Sequence, residues 1–102
     1  MTTTNQGFEI IHDIMKLRWV PEILMTISMG YSNYSDILNQ VEGLSHTELN
    51  RKLSLLSEKK AIIKESDHVR SGYILTDFGY DLEHIFKHFL DIAEKYEPLL
   101  AD

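Results

Sequence analysis

The feature that most constrains the fold of this chain is a strong helix start at Ser45. Ser45 and Glu48 stand at the spacing of a capping box, in which each side chain accepts a hydrogen bond from the other residue's backbone N–H. The residues that follow place leucines at helical spacing, at Leu49, Leu53 and Leu56. We therefore expect an amphipathic helix over residues 45–59 whose leucine face is buried.

A shorter helix directly precedes this one. Ser35 is a candidate N-cap for a helix from Asp36 to about Val41, and Asp36 places a favourable negative charge in its first turn. Gly43 then marks a tight turn before the next helix start. Two helices joined by a short glycine turn, here over about residues 35–59, are typical of a helix-turn-helix, whose second helix enters the major groove of DNA.

Two further helices and a tail are expected before this pair. Residues 1–7 are polar and show no periodicity, so we expect them to be disordered. Apolar residues recur at helical spacing from Phe8 to about Leu17. Pro21 suits the first turn of a second helix, which should stop at Gly30.

A β-hairpin and a long helix are expected after the pair. Two short β-favouring runs separated by a polar stretch predict a hairpin, or wing, over about residues 61–75. Thr76 then starts a helix over about residues 77–97. The predicted fold is mainly α with a small β-hairpin wing (α+β). It is a single winged helix-turn-helix domain, residues 8–102, with a long C-terminal dimerisation helix.

The distribution of charge points to the middle of the chain. The formal net charge is −6, which disfavours contact with nucleic acid over most of the surface. Residues 1–44 carry two basic and five acidic side chains, and residues 73–102 carry two basic and seven acidic. Residues 45–72 carry six basic and four acidic side chains, a net charge of +2. We expect a polyanion to bind in that segment.

This chain lacks the residues and motifs that are characteristic of several other classes of protein. The chain has no cysteine, which excludes disulfides and thiolate metal sites. It has no signal-peptide pattern and no apolar run near the roughly 18 residues that span a bilayer, so we expect a cytoplasmic protein without a membrane partner. No catalytic or phosphate-binding motif is present, and we expect neither enzyme activity nor a cofactor. Asp81, His84 and His88 share one predicted helix face without a fourth ligand, so we expect no metal.

Motifs along most of the chain match one known family. They are Arg18-Trp19, Ile23-Leu24, Gly30, the segments 34–37 and 43–45, the three leucines of the 45–59 helix, and the segment Tyr73–Gly79. In these motifs the chain resembles the HxlR family of bacterial and archaeal winged-helix regulators; the last motif also occurs in MarR-like and PadR-like proteins. The resemblance implies a winged-helix fold, a dimer and DNA binding at two half-sites.

The chain also departs from the family pattern at several points. Leu17 stands where the family usually has a glycine before its tryptophan, and Lys60 stands where a glycine closes the second helix of the pair. The wing is shorter and has no proline. The N-terminal cysteine that some members use to sense oxidants or electrophiles is absent, which excludes thiol-based sensing.

The predicted DNA-binding residues lie in the 45–59 helix and at the hairpin tip. They are Ser45, His46, Thr47, Asn50, Arg51, Lys52, His68 and Arg70. Arginine can grip guanine O6 and N7, asparagine can pair with adenine N6 and N7, and threonine can contact a base edge or a thymine methyl group. Ser45 and Lys52 are expected to contact phosphates. The two hairpin-tip residues are expected to reach the minor groove or a phosphate.

The last predicted helix carries more apolar side chains than one small core can bury. A surplus apolar face on a small protein indicates an association surface. We therefore expect a two-fold homodimer through the first and last helices. The residues expected at its interface are Phe8, Ile11, Phe86, Phe89, Leu90 and Tyr96.

Two functions remain open at this point. The first is a dimeric, sequence-specific DNA-binding regulator that represses or activates a promoter from an inverted-repeat operator. The alternative is a winged-helix module for protein–protein interaction in which DNA binding is reduced or lost, as the acidic net charge and short wing suggest. An unidentified effector or protein partner is compatible with either function.

Overall fold

A computed structural model describes residues 6–66 and 71–101 of the chain. The elements in order are α1 (Gln6–Met15), α2 (Val20–Ser28), α3 (Tyr34–Gln40), α4 (His46–Glu58), β1 (Ile62–Ser66), β2 (Ser71–Leu75) and α5 (Asp77–Leu100). The two strands form one antiparallel hairpin. The predicted winged-helix architecture is confirmed. None of the helices in this part of the chain combines the length and hydropathy that a membrane span requires.

Side-chain caps fix the starts of α3, α4 and α5. Asn33, Ser45 and Thr76 each accept a hydrogen bond from the backbone N–H three residues later. The prediction that Ser35 caps the third helix is wrong, because the Asn33 side chain accepts from the Asp36 N–H at 2.8 Å. Helix α1 begins at Gln6, two residues before the expected start, so Gln6 and Gly7 are helical and do not belong to a disordered tail.

One apolar core joins the helices to the hairpin. Leu49, Leu53 and Leu56 of α4 are buried, as the sequence predicts. They belong to one cluster with residues of α1, α2, α3, the hairpin and the first half of α5. Burial of each such side chain contributes about 1.5–3 kcal/mol. The orientation of α4 is therefore set by its own apolar stripe.

Trp19 connects the start of α2 to the turn before α4. Its indole lies 3.4 Å from the position that a Cβ on Gly43 would occupy. Gly43 itself has a φ of +85°, which favours glycine. The Arg18 guanidinium carbon also lies over the Trp19 ring, 4.6 Å from its centroid. This packing sets the turn of the helix-turn-helix against α2.

Helix α4 ends in a Schellman motif. The Ala61 N–H donates to the Leu56 carbonyl, and the Lys60 N–H donates to the Ser57 carbonyl. Lys60 has a φ of 65°, in the left-handed region, at the position where glycine is most common. The lysine therefore carries backbone strain that a glycine would not.

The variant Lys60→Gly is expected to stabilise the protein. Release of the left-handed strain is worth about 1 kcal/mol, which raises the Tm by about 4–8 °C in a domain of this size. Thermal unfolding followed by circular dichroism measures the change. The matched control is Lys59→Gly, because Lys59 has a φ of −82° and gains nothing from glycine. An equal fall in Tm for both variants would contradict the interpretation.

The hairpin and α5 meet at a close backbone contact. The Thr76 hydroxyl donates to the Lys60 carbonyl at 2.6 Å, and the Thr76 N–H donates to the Ala61 carbonyl at 3.0 Å. A Cβ on Gly79 would lie 2.0 Å from the Ala61 carbonyl oxygen. The first turn of α5 therefore lies directly on the backbone that follows α4.

Helix α5 is buried in its first half and exposed in its second. Gly79, Leu82 and Phe86 are its buried residues, and every residue from Lys87 to Leu100 is exposed. The helix has 24 residues and is about 36 Å long. It extends beyond the expected end at residue 97 and takes Pro98 into its last turn. The exposed half extends past the core.

Candidate nucleic-acid interface

The exposed face of α4 lies opposite its buried leucines. His46, Thr47, Asn50 and Arg51, which we call the recognition face, are all exposed. Ser45 is also exposed, and its hydroxyl accepts from the Glu48 N–H at 3.1 Å. The structure therefore places five of the predicted DNA-binding residues together at the N-terminal end of one helix. Their contact with DNA stays a prediction.

The Glu48 carboxylate pairs with both Arg51 and Lys52 of α4. It accepts from Arg51 Nη1 at 3.2 Å and from Lys52 Nζ at 3.1 Å. The hydrogen bond from Lys52 lowers the pKa of Glu48, and the charges of Lys52 and Arg51 lower it further. The capping box is therefore only half formed: Ser45 caps the helix, while the Glu48 side chain binds along the helix instead of returning to Ser45.

The structure separates Lys52 from the recognition face. Its side chain is only 13% exposed and is paired with Glu48, whereas the Arg51 side chain is 71% exposed. A lysine held in this way is poorly placed for the phosphate contact expected from the sequence. Arg51 keeps most of its guanidinium accessible, because only one of its nitrogens is bonded to Glu48.

Tyr34 and His46 form a contact between the two helices of the pair. Each is the first residue of its helix. The Tyr34 hydroxyl lies 3.1 Å from His46 Nδ1 and donates to the His46 carbonyl at 3.3 Å. The two rings stack with centroids 5.8 Å apart and planes inclined by 20°. Tyr34 is absent from the predicted site, because a 12-residue separation gives no periodic signal.

Part of the predicted wing contact falls outside the described residues. His68 and Arg70 lie in the segment 67–70, for which no structure is described. The strands that lead to it are in register, with Ile62 opposite Leu75 at the base and Ser66 opposite Ser71 at the top. Lys64 is exposed on β1, and its Nζ lies 5.9 Å from the Tyr73 ring centroid. Lys64 is not among the predicted DNA-binding residues, although it belongs to the basic middle segment.

The predicted dimer residues do not all lie on the surface. Phe86 is only 8% exposed and belongs to the core, because it lies one turn after Leu82 and two turns after Gly79 on the buried face of α5. Its part in an interface stays a prediction. Ile11 is half-buried against the core. The remaining four predicted residues are exposed: Phe8, Phe89, Leu90 and Tyr96.

An apolar groove lies beside these exposed residues. It has a volume of about 930 Å³ and runs between α5 and the elements α1 and α2. Trp19, Met25, Phe89 and Leu90 line it, with Glu22 and Lys16 among its polar residues. Three further apolar residues of α5 are exposed and were not predicted at an interface: Ile85, Ile92 and Leu99.

The histidines of α5 do not form a metal site. Asp81, His84 and His88 do not come together as a possible ligand set, and no group of three His, Asp or Glu side chains does so within residues 6–66 and 71–101. The acidic and histidine side chains of α5 therefore lie separately along an exposed helix.

The fold is similar to several solved structures. The reduced form of the transcriptional regulator YodB from B. subtilis has a TM-score of 0.79 and 18% sequence identity, covering 92% of this chain and 95% of that chain. The ytfH protein of Salmonella typhimurium has a TM-score of 0.77 and 22% identity, covering 94% and 88%. A protein of Thermoplasma volcanium GSS1 has a TM-score of 0.70 and 17% identity, covering 93% and 87%. At these identities the likeness shows the fold.

The sequence itself shows the family. A comparison with curated proteins finds no match. The sequence model of the HxlR-like helix-turn-helix family matches residues 14–100, which includes every element from α2 to α5. The match confirms the resemblance seen in the motifs around Trp19, Gly43 and Gly79. This chain therefore belongs to the HxlR family of helix-turn-helix proteins.

Proposed function

We propose that this protein is a dimeric, sequence-specific DNA-binding transcription regulator that places α4 in the major groove. The observation that carries the proposal is the division of α4 into two faces. Its leucines are buried in the core, and its recognition face is exposed over the first two turns. The recognition face occupies the N-terminal end of α4, and in a helix-turn-helix the N-terminal residues of the second helix contact base edges.

The residue types of the recognition face suit base contacts. Arg51 can form paired hydrogen bonds with guanine, and Asn50 can do so with adenine. Thr47 can bond a base edge or touch a thymine methyl group. Arg51 must leave Glu48 to reach a base, and its exposed side chain permits this movement.

Exposed lysines in the same segment of the chain support contact with phosphates. Lys59 and Lys60 at the end of α4 and Lys64 on β1 are exposed. All three belong to residues 45–72, the segment with more basic than acidic side chains. Cations at phosphates position a protein on the duplex and make its affinity depend on salt.

The exposed half of α5 supports a homodimer. Phe89 is 67% exposed, and Leu90 and Tyr96 are also exposed on a helix that extends past the core of its own subunit. An apolar helix face is stabilised by burial against a partner, and a second copy of the same face gives a closed two-fold assembly. Such a dimer would contact two half-sites about one helical turn of DNA apart.

The proposal is tested by binding to the DNA upstream of the protein's own gene. Fluorescence anisotropy compares that duplex with a scrambled duplex of the same composition, at about 50 and 200 mM salt. We expect preferential binding that weakens on the order of 10³-fold between the two salt concentrations. A folded dimer that binds neither duplex at the lower salt concentration would overturn the proposal.

The variant Arg51→Ala is expected to weaken binding to the preferred duplex by roughly 5- to 150-fold, since a paired arginine–guanine contact is worth about 1–3 kcal/mol. Anisotropy titrations of the parent and variant measure the ratio. The control is Lys87→Ala, which removes the same charge from the exposed part of α5. If both variants lose affinity equally, Arg51 acts only through its charge and the proposed base contact is wrong.

One observation favours a second function. Glu48 pairs with both Arg51 and Lys52, so part of the basic charge on α4 is neutralised within the helix. Combined with the net charge of −6, this suits a winged-helix module that binds another protein. The DNA titration separates the two functions, because such a module shows no salt-dependent binding to either duplex.

A further inference from the structure

Tyr34 and His46 hold the starts of α3 and α4 together through two atoms of the histidine. The Tyr34 hydroxyl oxygen lies 3.1 Å from His46 Nδ1, and the hydroxyl donates to the His46 carbonyl oxygen. The stacked rings keep the imidazole beside the phenol. The contact therefore constrains both the backbone and the ring orientation of the first residue of α4.

The protons at this contact can be assigned by counting donors. A tyrosine hydroxyl has one proton to donate, and it can accept through its oxygen. Both contacts are hydrogen bonds in only one arrangement of protons, in which the hydroxyl donates to the His46 carbonyl and accepts from Nδ1. In that arrangement Nδ1 carries the ring proton. In a neutral imidazole this leaves Nε2 without a proton, as a hydrogen-bond acceptor.

We propose that Tyr34 is a positioning residue that selects the Nδ1-protonated tautomer of His46, so that Nε2 accepts a hydrogen bond from a DNA base. This inference rests on the proposed function. His46 is exposed on the recognition face, and its Nε2 bonds no residue in the described part of the chain.

The tautomer determines which bases His46 recognises. In the major groove the hydrogen-bond donors are the amino groups of adenine N6 and cytosine N4. Guanine O6 and N7, thymine O4 and the phosphate oxygens are acceptors, and an unprotonated Nε2 has nothing to donate to them. His46 therefore selects adenine or cytosine where it meets the duplex, and Arg51 selects guanine.

The tautomer is measured first, in the free protein. Nitrogen-15 NMR of the histidine ring nitrogens distinguishes a protonated Nδ1 from a protonated Nε2, and the spectrum of His46→Ala identifies the signals of His46. At a pH where the ring is neutral, we expect the proton on Nδ1 in the parent. In Tyr34→Phe we expect the mixture of tautomers shown by the solvent-exposed His88. A parent His46 with its proton on Nε2 overturns the inference without any DNA experiment.

Binding to the preferred duplex is measured second, as a double-mutant cycle. Tyr34→Phe keeps the ring that packs against the core and removes only the hydroxyl. We expect Tyr34→Phe and His46→Ala each to weaken binding about fivefold, the effect of one hydrogen bond. The double variant should lose no more than the larger single loss. If the fold-losses in affinity of the two single variants multiply in the double variant, Tyr34 does not act through His46.

The outcomes separate this inference from the proposed function. A parent protein that binds no DNA overturns the proposed function and the base contact with it, whatever the tautomer. A parent that binds its preferred duplex, with Tyr34→Phe binding equally well, overturns only the inference about Tyr34. Thermal unfolding of Tyr34→Phe shows whether an affinity loss comes from a weakened fold. If Tyr34→Phe lowers both the Tm and the DNA affinity while the tautomer of His46 is unchanged, the result counts against the inference.

Discussion

The variant Gly79→Ala is expected to destabilise the protein by about 3 kcal/mol or more. Intrinsic helix propensity alone would give the opposite sign, because alanine is favoured over glycine in a helix by about 1 kcal/mol. The added Cβ would lie 2.0 Å from the Ala61 carbonyl oxygen and 3.3 Å from the Leu75 Cβ. The nearest atom belongs to the backbone, so no side-chain rotation can make room, and α5 must move away from the hairpin.

Urea denaturation followed by circular dichroism measures this change. The control is Asp81→Ala, an exposed substitution two residues later that adds no atoms near the hairpin. We expect the control to stay within about 0.5 kcal/mol of the parent, as is usual for surface positions. A Gly79→Ala protein as stable as the control would mean that α5 does not pack on Ala61 as described. The same contact gives a physical reason for the glycine that ends the motif Tyr73–Gly79.

The variant Phe89→Glu is expected to convert the proposed dimer into a folded monomer. Phe89 is 67% exposed in the single chain, so the subunit does not need it for its own core. In a two-fold interface each copy would contribute one carboxylate, and burial of each unpaired charge costs several kcal/mol. We expect the dissociation constant of the dimer to rise on the order of 100-fold or more. Affinity for an inverted-repeat duplex should fall with it, because one half-site contact is lost.

Sedimentation equilibrium and anisotropy titration measure the two effects. The matched control is Tyr80→Glu, which also replaces an exposed aromatic residue of α5 by a carboxylate. It lies nine residues before Phe89, which places it on the opposite face of the helix. A Phe89→Glu protein that remains a dimer, or a Tyr80→Glu protein that dissociates equally, would show that the interface lies elsewhere.

The helices were predictable because their signals are local. The Ser45 cap, the leucine spacing of α4 and the Thr76 cap each depend on residues within a few positions of one another, and all three appear as expected. The sequence also carried the family motifs, which the match over residues 14–100 confirms. The cap at Asn33 was missed because Ser35, two residues later, is an equally favoured residue type.

Other features depended on packing between distant segments. Phe86 and Phe89 look equivalent in the periodic pattern of α5, yet only Phe86 is buried, because the core ends within one turn of the helix. In the sequence Lys52 looks like a free cation, but its side chain is mostly buried and its charge is paired with Glu48. The Tyr34–His46 contact joins two helix starts that the chain separates by twelve residues.

The sequence by itself therefore determined the order of the elements, the starts of α4 and α5, the buried face of α4 and the family, because capping and helical periodicity act over one or two turns. The tertiary structure alone decided which apolar residues of α5 remain exposed, which cations stay accessible, and why Gly79 has no side chain. Those outcomes depend on how closely segments far apart in the chain approach each other, and no local pattern records that distance.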